Sequence, residues 1–78
     1  MFSAKFISVR DGVSKNGNRY FQIELIADTL DGGAKVVSTF CSETAFNNCQ
    51  GIKPMQEVKV ACGVNANGYI TINAVKGV

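Results

Sequence analysis

Asp11 to Leu25 reads DGVSKNGNRYFQIEL, and the change of pattern inside it decides the fold. Up to Gly17 the stretch is polar and carries two glycines, so it predicts a loop over 11–17 with points of backbone freedom. From Asn18 the residues alternate. Phe21, Ile23 and Leu25 fall on one face of a strand, and Tyr20, Gln22 and Glu24 on the other. An aromatic ring is therefore expected on the open face of a strand, beside a loop flanked by Arg10, Lys15 and Arg19. Rings that stack on bases and cations that hold phosphates are the pair of features that single-stranded nucleic acid requires.

The segments on either side extend this strand into a small β domain. Phe2 to Arg10 predicts a first strand whose alternation changes phase near Phe6 and Ile7, as at a bulge. The second strand runs from Asn18 to Thr29. Asp31-Gly32-Gly33 signals a turn, and Ala34 to Cys41, rich in Val and Thr, is the third strand. In that strand Phe40 is a candidate second stacking ring, but its shared phase with Val36 is expected to put it inside. Ser42–Gln50 predicts one or two helical turns capped by Ser42 and stopped at Gly51, or else an irregular connector; Phe46 is expected to plug one end of the core. Met55 to Val64 is the fourth strand, with Val58, Val60, Cys62 and Val64 on one face and Lys59, Ala61 and Gly63 on the other. The bare outer face at Ala61 and Gly63 suits close approach of another backbone. Asn67-Gly68 is a hairpin dipeptide, and Tyr69 to Val75 closes the chain as the fifth strand.

Five strands with an irregular connector after the third predict an all-β protein, a five-stranded OB-fold Greek-key barrel with a protruding hairpin, as a single domain over residues 1–78. The ligand face of such a barrel lies on its second and third strands, flanked by the loops after strands one and four. Lys15, Arg19, Tyr20 and the Asn65–Tyr69 turn fall there.

Composition narrows the function. The net charge is +2, which alone argues little, but its distribution is uneven. Residues 1–20 set Lys5, Arg10, Lys15 and Arg19 against Asp11 alone, residues 21–50 are acidic, and the last third is basic again. A fold that joins the two basic ends makes a basic stripe. With no histidine and no base beside any Ser or Cys, catalysis is not expected. Cys41, Cys49 and Cys62 have no metal-binding or disulfide spacing and predict reduced, core-filling thiols; neither metal nor cofactor is expected. Gly12 and Gly17 have the spacing of a phosphate-binding P-loop, but Asn18 and Arg19 stand where that motif needs Lys and Ser or Thr. No apolar run approaches the roughly 18 residues of a membrane span. MFSAKFISVR has no signal-peptide core, so a cytoplasmic location is expected.

RDGVSKNGNRY, Arg10 to Tyr20, and KPMQEVKVACGVNANGYITINAVKGV, Lys53 to Val78, resemble the gene-five-type single-stranded-DNA-binding proteins of filamentous phages. That family has a basic residue, a Gly-Val-Ser-basic-polar-Gly loop and a tyrosine opening the DNA-binding strand. The middle third of the chain is similar only in pattern. The resemblance implies that Arg10, Lys15 and Tyr20 contact DNA and that Lys76 matches a basic position of the last strand. It also implies a cooperative homodimer built through the last hairpin. Asn67 and Asp28 stand where better-known members carry aromatics, with Tyr69 two residues beyond the first. The expected function is sequence-tolerant binding of single-stranded DNA in phage or mobile-element replication, the expected contacts being Arg10, Lys15, Arg19, Tyr20, Gln22, Lys35, Tyr69 and Lys76. An RNA-binding OB module or translational repressor, and a small protein-interaction barrel, are the alternatives.

Overall fold

The computed structural model describes residues 2–78. In chain order the elements are β1 (Phe2–Val13), β2 (Arg19–Asp28), β3 (Ala34–Cys41), α1 (Glu43–Asn48), β4 (Glu57–Val64) and β5 (Ile70–Gly77). The strands close into a barrel in the order β1-β2-β3-β5-β4, with β4 returning to β1. Every pairing is antiparallel except β3 with β5. This is the expected five-stranded OB-fold barrel, with α1 as the connector after β3.

The register shift between Phe6 and Ser8 is the bulge expected in β1. The strand serves a partner on each edge: residues 2–5 pair with β4, while residues 4–6 and, past the bulge, 8–13 pair with β2. Ala4 and Phe6 point into the core, joined there by Ile23, Leu25, Val58, Val60, Ile72 and Val75. Fully burying a side chain of this size stabilises a fold by about 1.5–3 kcal/mol, so these few residues are what holds the barrel shut. Phe46 is half-buried at one end, its ring centroid 5.0 Å from that of Phe21.

The contact between β3 and β5 is short, with one registered pair, Cys41 and Ile72. The helix α1 takes over where that ladder ends. Ser42 N–H donates to the Ile72 carbonyl at 2.8 Å, and Ser42 Oγ donates to the Asn73 carbonyl at 3.1 Å. The same hydroxyl accepts from Ala45 N–H at 3.1 Å, which makes Ser42 the expected N-cap. At the other end Asn48 Oδ1 accepts from Val75 N–H at 3.2 Å. A sheet edge that no strand pairs is thus satisfied by side chains at the two ends of a helix.

All three hairpin turns are built alike, a repetition the sequence reading missed. In SKNGN (14–18), TLDGG (29–33) and NANGY (65–69) the first residue's N–H donates to the fifth carbonyl, at 2.8, 2.8 and 2.9 Å. The first carbonyl accepts from the glycine at position four, which is left-handed in each (φ 82°, 90° and 86°). A side-chain oxygen of Ser14, Thr29 or Asn65 accepts from the fifth N–H. This is a three-residue hairpin connection with glycine at the left-handed position. One consequence corrects the expected loop over 11–17. The turn occupies only 14–18, β1 runs on to Val13, and Gly12 is a strand residue registered opposite Tyr20.

A second correction concerns the last hairpin. Ala61 pairs with Ala74 but Cys62 with Ile72, so Asn73 is an extra residue in β5. The bulge shifts the phase of β5, so that Ile72 and Val75, three apart, are both buried, while Cys62, registered opposite Ile72, and Val64 keep the face of Val58 and Val60 but lie exposed toward the hairpin tip. Only Cys41 and Cys49 are the core-filling thiols expected. Burial raises the pKa of both, and together with the neighbouring Cys41 it pushes Cys49 up to about 11.

Candidate nucleic-acid interface

The cross-strand register assembles one outer face from three strands. Gly12 stands opposite Tyr20, Arg10 opposite Gln22 and Ser8 opposite Glu24. Across β2, Gln22 is registered with Phe40 and Glu24 with Ser38. The alternation read from Phe21, Ile23 and Leu25 therefore holds, and Tyr20, Gln22 and Glu24 face outward.

Tyr20 does not stand free from this face. Its ring lies across Gly12, where a Cβ would come within 2.5 Å of Tyr20 Oη and 2.6 Å of Cζ. A glycine at position 12 thus serves as a floor for the ring. Tyr20 keeps 37% of its surface exposed. Beside it is Phe40, 54% exposed, with ring centroids 6.4 Å apart and planes at 89°. The expectation that Phe40 lies inside is overturned. Phe40 and Val36 do share a phase, but it is the outer one, because the β2–β3 register aligns Cys41, Thr39 and Val37 with Phe21, Ile23 and Leu25. Edge-to-face contact between rings is favourable beyond area burial, so each aromatic holds the other in place.

Arg10 Nε donates to Gln22 Oε1 at 2.8 Å. One donor is spent in orienting the guanidinium, and the remaining N–H groups are left for a phosphate. Glu24 follows on the same face, so a polyanion tracking along β2 meets a carboxylate there. The favourable direction from Tyr20 is across to Phe40. From Phe40 a groove continues toward the Asn65–Tyr69 turn, where Tyr69 is 69% exposed.

Three of the expected contacts do not join this face. Arg19 lies on the opposite side of β2, 3.0 Å from Asp11 in an ion pair and 5.0 Å above the Phe21 ring. Adjacent strand residues point opposite ways, and Tyr20 takes the outer position. Lys35 is registered with Ala27 and shares the parity of Val37, Thr39 and Cys41, again the inner set. Lys76 is on the β4–β5 wall directly opposite Lys59, whose Nζ donates to Ser3 Oγ at 2.6 Å. Lys15 is the second residue of the turn that ends the β1–β2 hairpin and is exposed. The basic stripe expected from the two ends of the chain thus resolves into Arg10 and Lys15 on one hairpin and Lys59 and Lys76 on another wall.

The bare face at Gly63, expected to admit another backbone, is also occupied. The side-chain amide of Asn73 lies where a Cβ of Gly63 would be. Among the described residues no group of three His, Cys, Asp or Glu could hold a metal ion. No family model, curated protein or solved structure matches the chain.

Proposed function

We propose that the protein binds single-stranded DNA with little dependence on sequence, by stacking bases on Tyr20 and Phe40 while Arg10 and Lys15 hold phosphates. The observation that carries this reading is the pair of perpendicular, exposed rings on a barrel face, next to an arginine held in place by Gln22. Rings with no burial duty on a polar face have the chemistry of a stacking platform, and a base offers such a platform its π-face whatever its identity. The resemblance of Arg10–Tyr20 to phage proteins of this activity points the same way. The working form in this reading is a homodimer joined at the β4–β5 hairpin, whose tip exposes Val64 and Ile70.

Titration of tyrosine fluorescence with oligo(dT), and with duplex DNA of equal length, tests the activity. Quenching by the single strand, weaker for the duplex and diminished by salt, is expected. Equal response to both, or none, refutes the reading; a response to oligo(rU) stronger than to oligo(dT) transfers it to RNA. Sedimentation at micromolar concentration tests the assembly, and a lone 8.3 kDa species would eliminate the dimer.

A further inference from the structure

The groove between β3 and the Asn65–Tyr69 turn is lined by Thr39, Phe40, Asn65, Asn67, Tyr69 and Ile70. It combines two exposed rings with two side-chain amides. Asn65 is fixed, because its Oδ1 accepts from the N–H groups of both Asn67 and Tyr69 at 3.0 Å. The side chain of Asn67 makes no hydrogen bond among the described residues, and neither amide is needed by the core. An amide carries a donor and an acceptor side by side, which is the pattern needed to grip the edge of a base.

We propose that this groove is a pocket for a single unpaired nucleobase, stacked against Phe40 or Tyr69 and read at its edge by Asn67, with adenine preferred. The proposal rests on the single-strand reading above. Continuity with that face supports it, since Phe40 belongs to both: its ring packs perpendicular to Tyr20 and borders the groove. Because the Tyr20 and Phe40 planes are at 89°, bases stacked on each cannot be parallel. The strand therefore turns between them and delivers one base, unstacked from its neighbours, into the groove. Adenine meets an asparagine amide in two hydrogen bonds through N6–H and N7, and its purine ring offers more stacking surface than thymine does. Stacking stays tolerant of any base, so the pocket biases the register of a bound strand instead of imposing a sequence.

The test uses the full chain and two fluorescent oligomers of about eight nucleotides, a length within the reach of one OB barrel. One is all thymine and the other has a single central adenine. Wild type should bind the adenine-bearing oligomer about fivefold more tightly, the low end for a two-bond contact in an exposed site. Asn67→Ala, in an exposed turn, should erase that advantage and leave the all-thymine affinity unchanged. Asn67→Asp, which loses the donor, should erase it too. Phe40→Ala should weaken both oligomers. If wild type binds both equally, or if Asn67→Ala keeps the advantage, the pocket is refuted and the single-strand reading stands. If wild type binds neither oligomer, that reading falls and the pocket with it.

Discussion

The β1–β2 and β4–β5 hairpins use the same turn and the same device to opposite ends. Each has a glycine in its first strand whose outer face is covered by a side chain of the second strand: Tyr20 over Gly12, and Asn73 over Gly63. In the first hairpin the ladder from Ser8 to Val13 is unbroken, and the cover is an aromatic ring left partly open to solvent. In the second the covering residue is itself the extra residue of a bulge. A glycine within a strand costs roughly 0.5–1 kcal/mol relative to alanine. The Gly12 position offsets that cost by laying a ring flat and exposed. The Gly63 position offsets it by making room for an amide that β5 has to put somewhere.

Substitution at the two glycines separates these roles. The reference is Tyr20→Ala, which should weaken binding of oligo(dT) by about 1–3 kcal/mol per stacked base while the core, which does not include it, holds. Gly12→Ala should approach that loss, because a methyl group 2.5 Å from Tyr20 Oη forces a rigid ring off its floor. Gly63→Ala meets the far end of a flexible amide, which can rotate away. Its binding should stay within about 0.5 kcal/mol of wild type. Oligo(dT) titration of the three variants, each with a thermal melt, gives the ranking. Wild-type binding by Tyr20→Ala would remove the ring from the site. Wild-type binding by Gly12→Ala alone would show that the ring stacks without its floor.

The same two hairpins show what could be read in the sequence. β2 was legible because its inner residues are apolar and Gln22 and Glu24 between them are polar. β3 was not, because Val36, Val37 and Phe40 put apolar side chains on both faces, and hydrophobicity cannot choose between them. The register chooses: a turn over 29–33 pairs Asp28 with Ala34, and every later pair follows, placing Phe40 opposite Gln22. The signal that would have found Phe40 was therefore the turn pattern shared by SKNGN, TLDGG and NANGY, not the strand itself. That pattern would also have set Gly12 opposite Tyr20. The bulge at Asn73 has no such signature. It is stabilised by Ser42 and Asn48 of a distant segment, and periodicity within β5 cannot report it.

The smallest expected effects separate the cations of the two hairpins. Arg10 lies next to the aromatic pair and is oriented by Gln22, whereas Lys76 faces Lys59 across β4–β5, and Lys59 donates to Ser3. If Arg10 neutralises one phosphate, Arg10→Gln should reduce the slope of log affinity against log salt by about 0.7, the value for one contact to a single strand. Lys76→Gln should leave that slope alone and act on stability instead. Like charges directly opposite on a sheet are destabilising, and solvent screening keeps the effect at these exposed positions to a few tenths of a kcal/mol. Lys76→Gln should therefore melt slightly higher than wild type at low salt, and Lys76→Glu, which turns repulsion into attraction, higher again. Both gains should shrink as salt is added, since screening shortens the reach of surface charges. A salt slope reduced by Lys76→Gln as much as by Arg10→Gln would mean that the strand continues around the barrel to the β4–β5 wall. The like-charged lysine pair would then be a second phosphate clamp, and the path from Tyr20 through Phe40 would be only part of its course.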